Sequence, residues 1–158
     1  MFRHRATRPE RIDTGDYTQE EYERFLREIR FINRRLGDRS ALERTLLADI
    51  TRLDLPDFSV LDVGAGTGEL LGTIADFAGL TGRRATLTGL DLNELSIKEI
   101  AAEAAGRSEI SPVRANALAL PFADGAFDFA ISSLFMHHLA EADIGPALAE
   151  MSRVAKRG

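Results

Sequence analysis

The sequence lacks several features that would define its class at once. Its 158 residues include no cysteine and no tryptophan. Without cysteine there are no disulfides and no thiolate metal sites, so nothing requires an oxidising compartment and we expect a cytoplasmic protein. Charged or polar residues also interrupt every apolar run before it reaches the ~20 residues of a membrane-spanning helix. We therefore expect neither a secreted disulfide scaffold nor a membrane protein.

Basic residues do not dominate the charge of the chain. There are 20 Lys and Arg against 25 Asp and Glu, which gives a formal net charge of -5 at pH 7. This balance gives no electrostatic reason to expect nucleic acid as a partner. Hydrophobic residues make up 44% of the chain and charged residues 28%, which is ordinary for one globular domain and excludes disorder.

The N-terminal part of the chain divides into a leader and a helical segment. Residues 1–17 are rich in arginine and have no apolar core, so they predict a flexible leader rather than a secretory signal. Residues 18–55 predict two amphipathic helices. The first covers residues 18–36 and begins with a capping-box pair, Thr18 and Glu21.

The second amphipathic helix is predicted from near Ser40 until shortly before Pro56. Four apolar residues recur at helical spacing and are expected to face a core: Leu42, Leu46, Leu47 and Ile50. The arginines on the outer faces of both helices could form a binding patch. The glutamates interleaved with them favour a solvated face of mixed charge instead.

From Phe58 onward, short β-type runs alternate with helical stretches, which indicates a parallel sheet with crossover helices. The predicted strands are Ser59–Val63, Ala85–Leu90, Ile110–Ala115 and Phe127–Ser132. The predicted helices are Gly68–Phe77, a second that Asn93 caps, and Glu141–Val154. Pro112 has no N–H to donate, so the third strand is expected at a sheet edge. The expected fold class is α/β with a doubly wound sheet.

The most informative segment is a strand that runs into three alternate glycines, Gly64, Gly66 and Gly68, and then into a helix. Glycine permits close approach of the backbone to a ligand, and the N–H groups at a helix start favour a carboxylate or phosphate. A nucleotide-type ligand is therefore expected. The alternative is a tight turn whose glycines serve only the packing of helix against strand.

The glycine spacing separates two kinds of ligand. A dinucleotide fingerprint reads G-x-G-x-x-G, and this chain has Glu69 where the third glycine should stand. A negative side chain at that point also disfavours a pyrophosphate. Asp91, at the end of the second predicted strand, is placed to accept hydrogen bonds from ribose hydroxyls, although it could instead cap the next helix.

Four segments in this order resemble the class I S-adenosylmethionine-dependent methyltransferases. They are Asp62–Gly68, Asp91, Asn116–Phe122 and Phe127–Ser133. The resemblance covers residues 58–158 and implies a Rossmann-like, mostly parallel sheet, with residues 56–158 as the cofactor-binding domain. The helices of residues 18–55 are similar to the lid that precedes the sheet in many small-molecule methyltransferases.

The resemblance implies a role for each matching residue. Asp62 would lie near the ammonium group of the cofactor, Asp91 would hold the ribose, and Asn116 would accept from the adenine amino group although the family usually has Asp there. Ser132 and Ser133 would lie by the sulfonium, or they simply end a strand. The other implied cofactor contacts are Gly64, Ala65, Gly66, Gly68, Leu92 and Ala117.

The implied function is transfer of a methyl group from S-adenosylmethionine to a small-molecule acceptor. Such a displacement needs alignment and desolvation more than a large catalytic set, and no carboxylate or histidine cluster suggests a metal. His137 and His138 follow the fourth predicted strand, and either could deprotonate an acceptor hydroxyl near neutral pH. The alternative is that one of them packs and the other caps the next helix.

The family generally continues through three more strands after the point where this sequence ends. The fourth predicted strand, which is interior in the family, would then be an open edge, and we expect a truncated chain, a homodimer or a partner that covers it. Two other functions stay open. One is a non-catalytic cofactor-binding or interaction module, and the other is a nicotinamide-dependent oxidoreductase.

Overall fold

The computed structural model describes residues 17–18, 20–21, 24, 28 and 38–157. Apart from Tyr17, the predicted leader lies outside these residues, as does most of the first predicted helix. The start of that helix is described. The Thr18 N–H donates to Glu21 Oε2 at 2.9 Å, and the Glu21 N–H donates to Thr18 Oγ1 at 3.2 Å. These reciprocal bonds confirm the capping box that the sequence predicts.

Four parallel strands form the sheet of the described residues. They are β1 (Asp57–Val63), β2 (Arg84–Asp91), β3 (Ile110–Arg114) and β4 (Phe129–Ile131). Their spatial order is β3-β2-β1-β4, so consecutive strands cross over and the carboxyl ends of all four strands lie at one edge. This arrangement confirms the doubly wound α/β class. Pro112 lies in β3 at the sheet edge, as its missing N–H predicts.

Helices connect and cover these strands. They are α1 (Asp38–Leu42), a π-helical stretch (Glu43–Leu47), α2 (Ala48–Arg52), α3 (Glu69–Thr81), α4 (Glu94–Glu103), a 3-10 turn (Met136–His138) and α5 (Glu141–Val154). The prediction for α5 is confirmed. The prediction for α3 was too short, because the helix continues until Gly82 ends it in the left-handed conformation. Asn93 caps α4 as predicted, since its side chain accepts from the Leu95 N–H at 2.9 Å.

Two apolar clusters lie on opposite faces of the sheet. Side chains alternate along β1, so Val60 belongs to one cluster and Leu61 to the other, and both are fully buried. The first cluster includes the four residues predicted for the second amphipathic helix: Leu42, Leu46, Leu47 and Ile50. The second cluster joins the sheet to α5 through Met151 and Val154. None of the helices in the described part of the chain meets the length and apolarity that a bilayer crossing requires.

Strand β4 is shorter than the predicted Phe127–Ser132. Phe127 instead pairs with the end of α5 and the residues after it. Its N–H donates to the Val154 carbonyl at 3.0 Å, and its own carbonyl accepts from the Lys156 N–H at 2.9 Å. At the other end, Ser132 turns its hydroxyl back to the Val63 carbonyl at 2.8 Å. Among the described residues, β4 itself pairs only with β1, so its outer side over Phe129–Ile131 has no strand partner.

Candidate cofactor site

The glycine loop joins β1 to α3 at the carboxyl edge of the sheet. The Gly64 and Ala65 N–H groups both donate to the Leu90 carbonyl, at 2.8 and 3.0 Å, and so tie the loop to the end of β2. Gly64, Gly66 and Gly68 have φ values of 73°, 55° and 73°. This left-handed backbone favours glycine, because a side chain strains it. The loop therefore needs all three glycines for its conformation.

The three glycines face different surroundings. A Cβ added at Gly64 would lie 2.3 Å from Phe135 Cγ, and one at Gly68 would lie 3.3 Å from the Ile100 Cα. A Cβ at Gly66 would meet nothing within 4 Å. The alternative that the glycines serve close packing therefore applies to Gly64, which lies against Phe135, and to Gly68, which lies against Ile100. Of the three, Gly66 presents its backbone to open space where a ligand can approach.

Asp91 ends β2 beside this loop. Its Oδ2 accepts from the Gly66 N–H at 3.0 Å, and its Oδ1 accepts from the Asn93 N–H at 2.9 Å. Asn93, not Asp91, is the cap of α4. Burial raises the pKa of Asp91, and hydrogen bonds from Asn93, Gly66, Ser96 and Leu92 oppose that effect. Asp91 thus ties the glycine loop to the start of α4 at the carboxyl edge of the sheet.

Asp62 lies in β1 with 2% of its surface exposed. Burial, and then the neighbouring charge of Asp91, raise the pKa of Asp62 to about 7. Burial makes the charged carboxylate costly, and a cation at this edge of the sheet would relieve that cost. The site therefore favours a positively charged group beside Asp62.

A turn after β3 carries Asn116 and Ala117. The Asn116 Oδ1 accepts from the Leu118 N–H at 2.9 Å, and the Asn116 carbonyl accepts from the Ala119 N–H at 3.1 Å. These bonds orient the Asn116 side chain within the turn, and its oxygen has a second lone pair for a further donor. Ala117 is buried against the second apolar cluster. The Ala115 N–H donates to the Asp91 carbonyl at 3.1 Å, which brings this turn beside β2.

The segment after β4 covers part of the loop. Leu134 has φ of 52°, an unusual conformation for a bulky residue, and Phe135 follows with its ring against Gly64. His137 and His138 lie in the 3-10 turn with their ring centroids 4.0 Å apart. The Ser132 hydroxyl donates to β1, and Ser133 is half-buried. The strand order puts this segment at the carboxyl edge of the sheet, beside the glycine loop.

Tyr17 makes a contact with Asn93 that the sequence did not predict. Its hydroxyl accepts from the Asn93 Nδ2 at 2.8 Å, so the N-terminal part of the chain reaches the carboxyl end of β2. A lone tyrosine just before a capping box carries no sequence signal for such a contact. No group of three or more metal-ligating side chains occurs among the residues that the structure describes.

Comparisons with known proteins point to one family. The model of the methyltransferase domain family matches residues 60–158. The demethylmenaquinone methyltransferase of Bacillus velezensis is 38% identical over 100 residues, which are 62% of this chain and 41% of that protein. The chain thus spans less than half the length of this curated relative.

Solved structures agree on the fold. A SAM-dependent methyltransferase from Aquifex aeolicus superimposes with a TM-score of 0.53 at 24% identity, over 63% of this chain and 51% of that one. The [4+2]-cyclase SpnF superimposes with a TM-score of 0.60 at 28% identity, over 78% of this chain and 41% of that one. The family match decides against the nicotinamide-dependent alternative.

Proposed function

Because this chain belongs to the methyltransferase domain family, we propose that it is the cofactor-binding part of an enzyme that methylates a small-molecule acceptor. The methyl donor of this class is S-adenosylmethionine. One observation carries the proposal: the Gly66 N–H donates to Asp91 Oδ2 at 3.0 Å. This bond joins the open glycine backbone to the acid at the end of β2, at the carboxyl ends of two adjacent parallel strands, where ligands bind in open α/β folds. The proximity of the two groups supports a nucleoside ligand at this edge.

The residues of the edge fit each part of that cofactor. Asp62 supplies a buried negative charge for the ammonium group, and Gly66 leaves room for the chain that bears it. Asp91, with Leu92 beside it, accepts from the ribose hydroxyls. Asn116 and Ala117 hold the adenine. Ala65, Gly64 and Gly68 shape the loop around these contacts.

When bound, the cofactor supplies a methyl group on a positively charged sulfur, which an acceptor atom attacks in line. The protein has to align that atom and exclude water. Ser132 and Ser133 lie at the end of β4, where they are proposed to border the sulfur. His137 or His138, in the 3-10 turn, is proposed to take the proton from an acceptor hydroxyl.

The remaining expectations concern organisation. We keep residues 56–158 as the cofactor domain, residues 18–55 as a lid segment and residues 1–17 as a leader. The outer side of β4 over Phe129–Ile131 is proposed to pair with a further strand, from more of the same polypeptide or from a second copy. A cytoplasmic location also stays a prediction.

A second candidate is a cofactor-binding protein whose reaction is not methyl transfer. The observation that favours it is the likeness to SpnF, a protein of the same fold whose name states a [4+2]-cyclase. Both candidates bind the cofactor through the same edge of the sheet, so binding alone does not separate them.

Methyl transfer separates the two candidates. The polypeptide is incubated with radiolabelled S-adenosylmethionine and reduced demethylmenaquinone, which we try first because the Bacillus velezensis relative is named for it. The isolated 158 residues should bind S-adenosylhomocysteine but transfer little or no label, because the strands that would wall the acceptor site are not among them. Assayed together with the strands that cover β4, the polypeptide should put label into the extracted quinone, and excess S-adenosylhomocysteine should abolish it. Tight binding of S-adenosylhomocysteine by that longer polypeptide, with no label transferred to this or other small acceptors, would favour the second candidate.

A further inference from the structure

Helix α5 carries a charged pair, Glu150 and Arg153, that faces the loop between β3 and β4. Arg153 Nε lies 2.7 Å from Glu150 Oε1, and Arg153 Nη2 lies 2.9 Å from Glu150 Oε2. The hydrogen bond from Arg153, and then one from the Leu120 N–H, lower the pKa of Glu150 to about 2. Both side chains are therefore charged at neutral pH, and the two-point contact fixes their mutual orientation.

This pair holds the loop by its backbone. Arg153 Nη2 donates to the Leu120 carbonyl at 3.1 Å, and Arg153 Nη1 donates to the Phe122 carbonyl at 2.8 Å. The Leu120 N–H donates to Glu150 Oε2 at 2.8 Å. Arg153 Nη1 also donates to Asp124 Oδ1 at 2.8 Å. Both polar backbone groups of Leu120 thus depend on the pair.

The loop has a second anchor at its other end. The Ala115 N–H donates to the Asp91 carbonyl at 3.1 Å, at the carboxyl end of β2. Residues 116–119 lie between this anchor and Leu120. Within them, Asn116 makes two bonds to the turn, one with the Leu118 N–H and one with the Ala119 N–H. The position of the turn is therefore set from both sides, by β2 and by the charged pair.

We infer that Glu150 and Arg153 position the turn of residues 116–119 and thereby set the selectivity of the site for the base of its nucleoside ligand. This inference rests on the proposed function, in which Asn116 accepts from the adenine amino group. Neither side chain of the pair has to touch the ligand. They are positioning residues, which act through the backbone of Leu120 and Phe122.

Base discrimination is the measurement that isolates this role. Calorimetry gives the affinities of the chain for S-adenosylhomocysteine and for its hypoxanthine counterpart, S-inosylhomocysteine, which presents an oxygen in place of the amino group. Loss of folded protein lowers both apparent affinities by the same factor, so the ratio reports only the geometry at the base. The variant is Arg153→Gln, which removes the charge and most of the donors.

Arg107→Gln is the matched control. The Arg107 side chain is 30% exposed against 31% for Arg153. It also binds a carbonyl, of Gly72, and pairs with two carboxylates, of Asp76 at 2.8 Å and of Glu103 at 3.9 Å. These bonds join it to α3 and to the end of α4, away from the Leu120 and Phe122 carbonyls that Arg153 holds. Substitution here perturbs a comparable ion pair elsewhere in the domain.

We expect the wild-type chain and Arg107→Gln to prefer the adenine ligand equally. In Arg153→Gln the ratio of the affinities for S-adenosylhomocysteine and S-inosylhomocysteine should fall about three- to tenfold, the equivalent of one hydrogen bond. An unchanged ratio in Arg153→Gln, or an equal loss in Arg107→Gln, would overturn the inference. If Arg153→Gln does not fold, Glu150→Gln is judged by the same ratio. A wild-type chain that binds neither ligand refutes the proposed function itself, and the inference falls with it.

Discussion

Gly66 and Asp91 are joined by a hydrogen bond of 3.0 Å from the backbone of one to the carboxylate of the other. The bond connects the most open point of the glycine loop to the acid at the end of β2. Asp91 also accepts from the Asn93 N–H at 2.9 Å, at the start of α4. One side chain therefore fixes the loop and orients the start of the next helix.

Asp91→Ala should weaken binding of S-adenosylhomocysteine by about 1.5 to 3 kcal/mol, the range for losing hydrogen bonds to a charged group. Asp91→Asn keeps one oxygen and should lose less. Calorimetry on both variants measures the effect. Asp76→Ala, which removes an exposed carboxylate on α3 that pairs with Arg107, is the control and should bind as the wild type does. Equal affinity in Asp91→Ala and wild type would remove Asp91 from the site.

The loop glycines should respond differently to the same added methyl group. Gly64→Ala drives a Cβ into Phe135 and should lower the free energy of unfolding by about 2 to 4 kcal/mol, from overpacking and left-handed strain together. Gly66→Ala meets nothing within 4 Å and should cost only about 1 to 2 kcal/mol of strain. Urea denaturation followed by circular dichroism gives both values.

Two further measurements complete that comparison. Gly64→Ala should cost less in a Phe135→Ala background, because the ring it meets is gone. Gly66→Ala should bind S-adenosylhomocysteine at least about tenfold more weakly, since the methyl group would project into the ligand space. Identical losses of stability at the two glycines would contradict the different surroundings described for them.

Asp62 should make cofactor binding depend on pH. Its pKa of about 7 means that much of the carboxyl group is protonated below neutrality, and a cationic ligand favours the ionised form. Affinity for S-adenosylhomocysteine should therefore rise between pH 5.5 and 7.5, by at most about tenfold per pH unit. Asp62→Asn should bind more weakly and show a flatter profile. A wild-type profile as flat as that of the variant would exclude Asp62 from the ligand site.

The Asp62 carboxyl group should also make stability depend on pH when no ligand is present. Ligand affinity should rise with pH, whereas the free energy of unfolding should fall. Its folded pKa is raised from 3.8 to about 7, so the folded state binds the proton more tightly than the unfolded state does. The resulting stabilisation is complete below pH 3.8 and is lost as the pH rises to about 7. Between pH 5 and pH 8 the wild type should therefore lose free energy of unfolding relative to Asp62→Asn, as measured by urea denaturation. A difference that stays constant would contradict the raised pKa.

Local signals predicted much of this fold. Pro112 at an edge, Asn93 as a cap and the pair Thr18 and Glu21 each follow from the chemistry of a few neighbouring residues. The glycine roles needed the structure, because Phe135 reaches Gly64 from a distant part of the sequence. The length of β4 also could not be predicted from local signals, since Phe127 pairs with the segment after α5.

Some residues of the candidate site were also predicted from the sequence, whereas the contacts that hold them were not. The sequence located Asp91 by its place after a strand, and Asn116 by its resemblance to a family position. It gave no sign of the hydrogen bond from Asn93 to Tyr17, or of the contacts from Arg153 to the loop carbonyls. These bonds depend on how separate elements meet in space, which no local pattern encodes.

The central claim is that the carboxyl edge of this sheet binds the sulfur cofactor and not a dinucleotide. Calorimetric titration of the 158-residue chain with S-adenosylhomocysteine and with NAD tests it most directly. The account predicts saturable binding of S-adenosylhomocysteine that Asp91→Ala weakens, and NAD binding that is weaker by at least about tenfold. Tighter binding of NAD than of S-adenosylhomocysteine would contradict it.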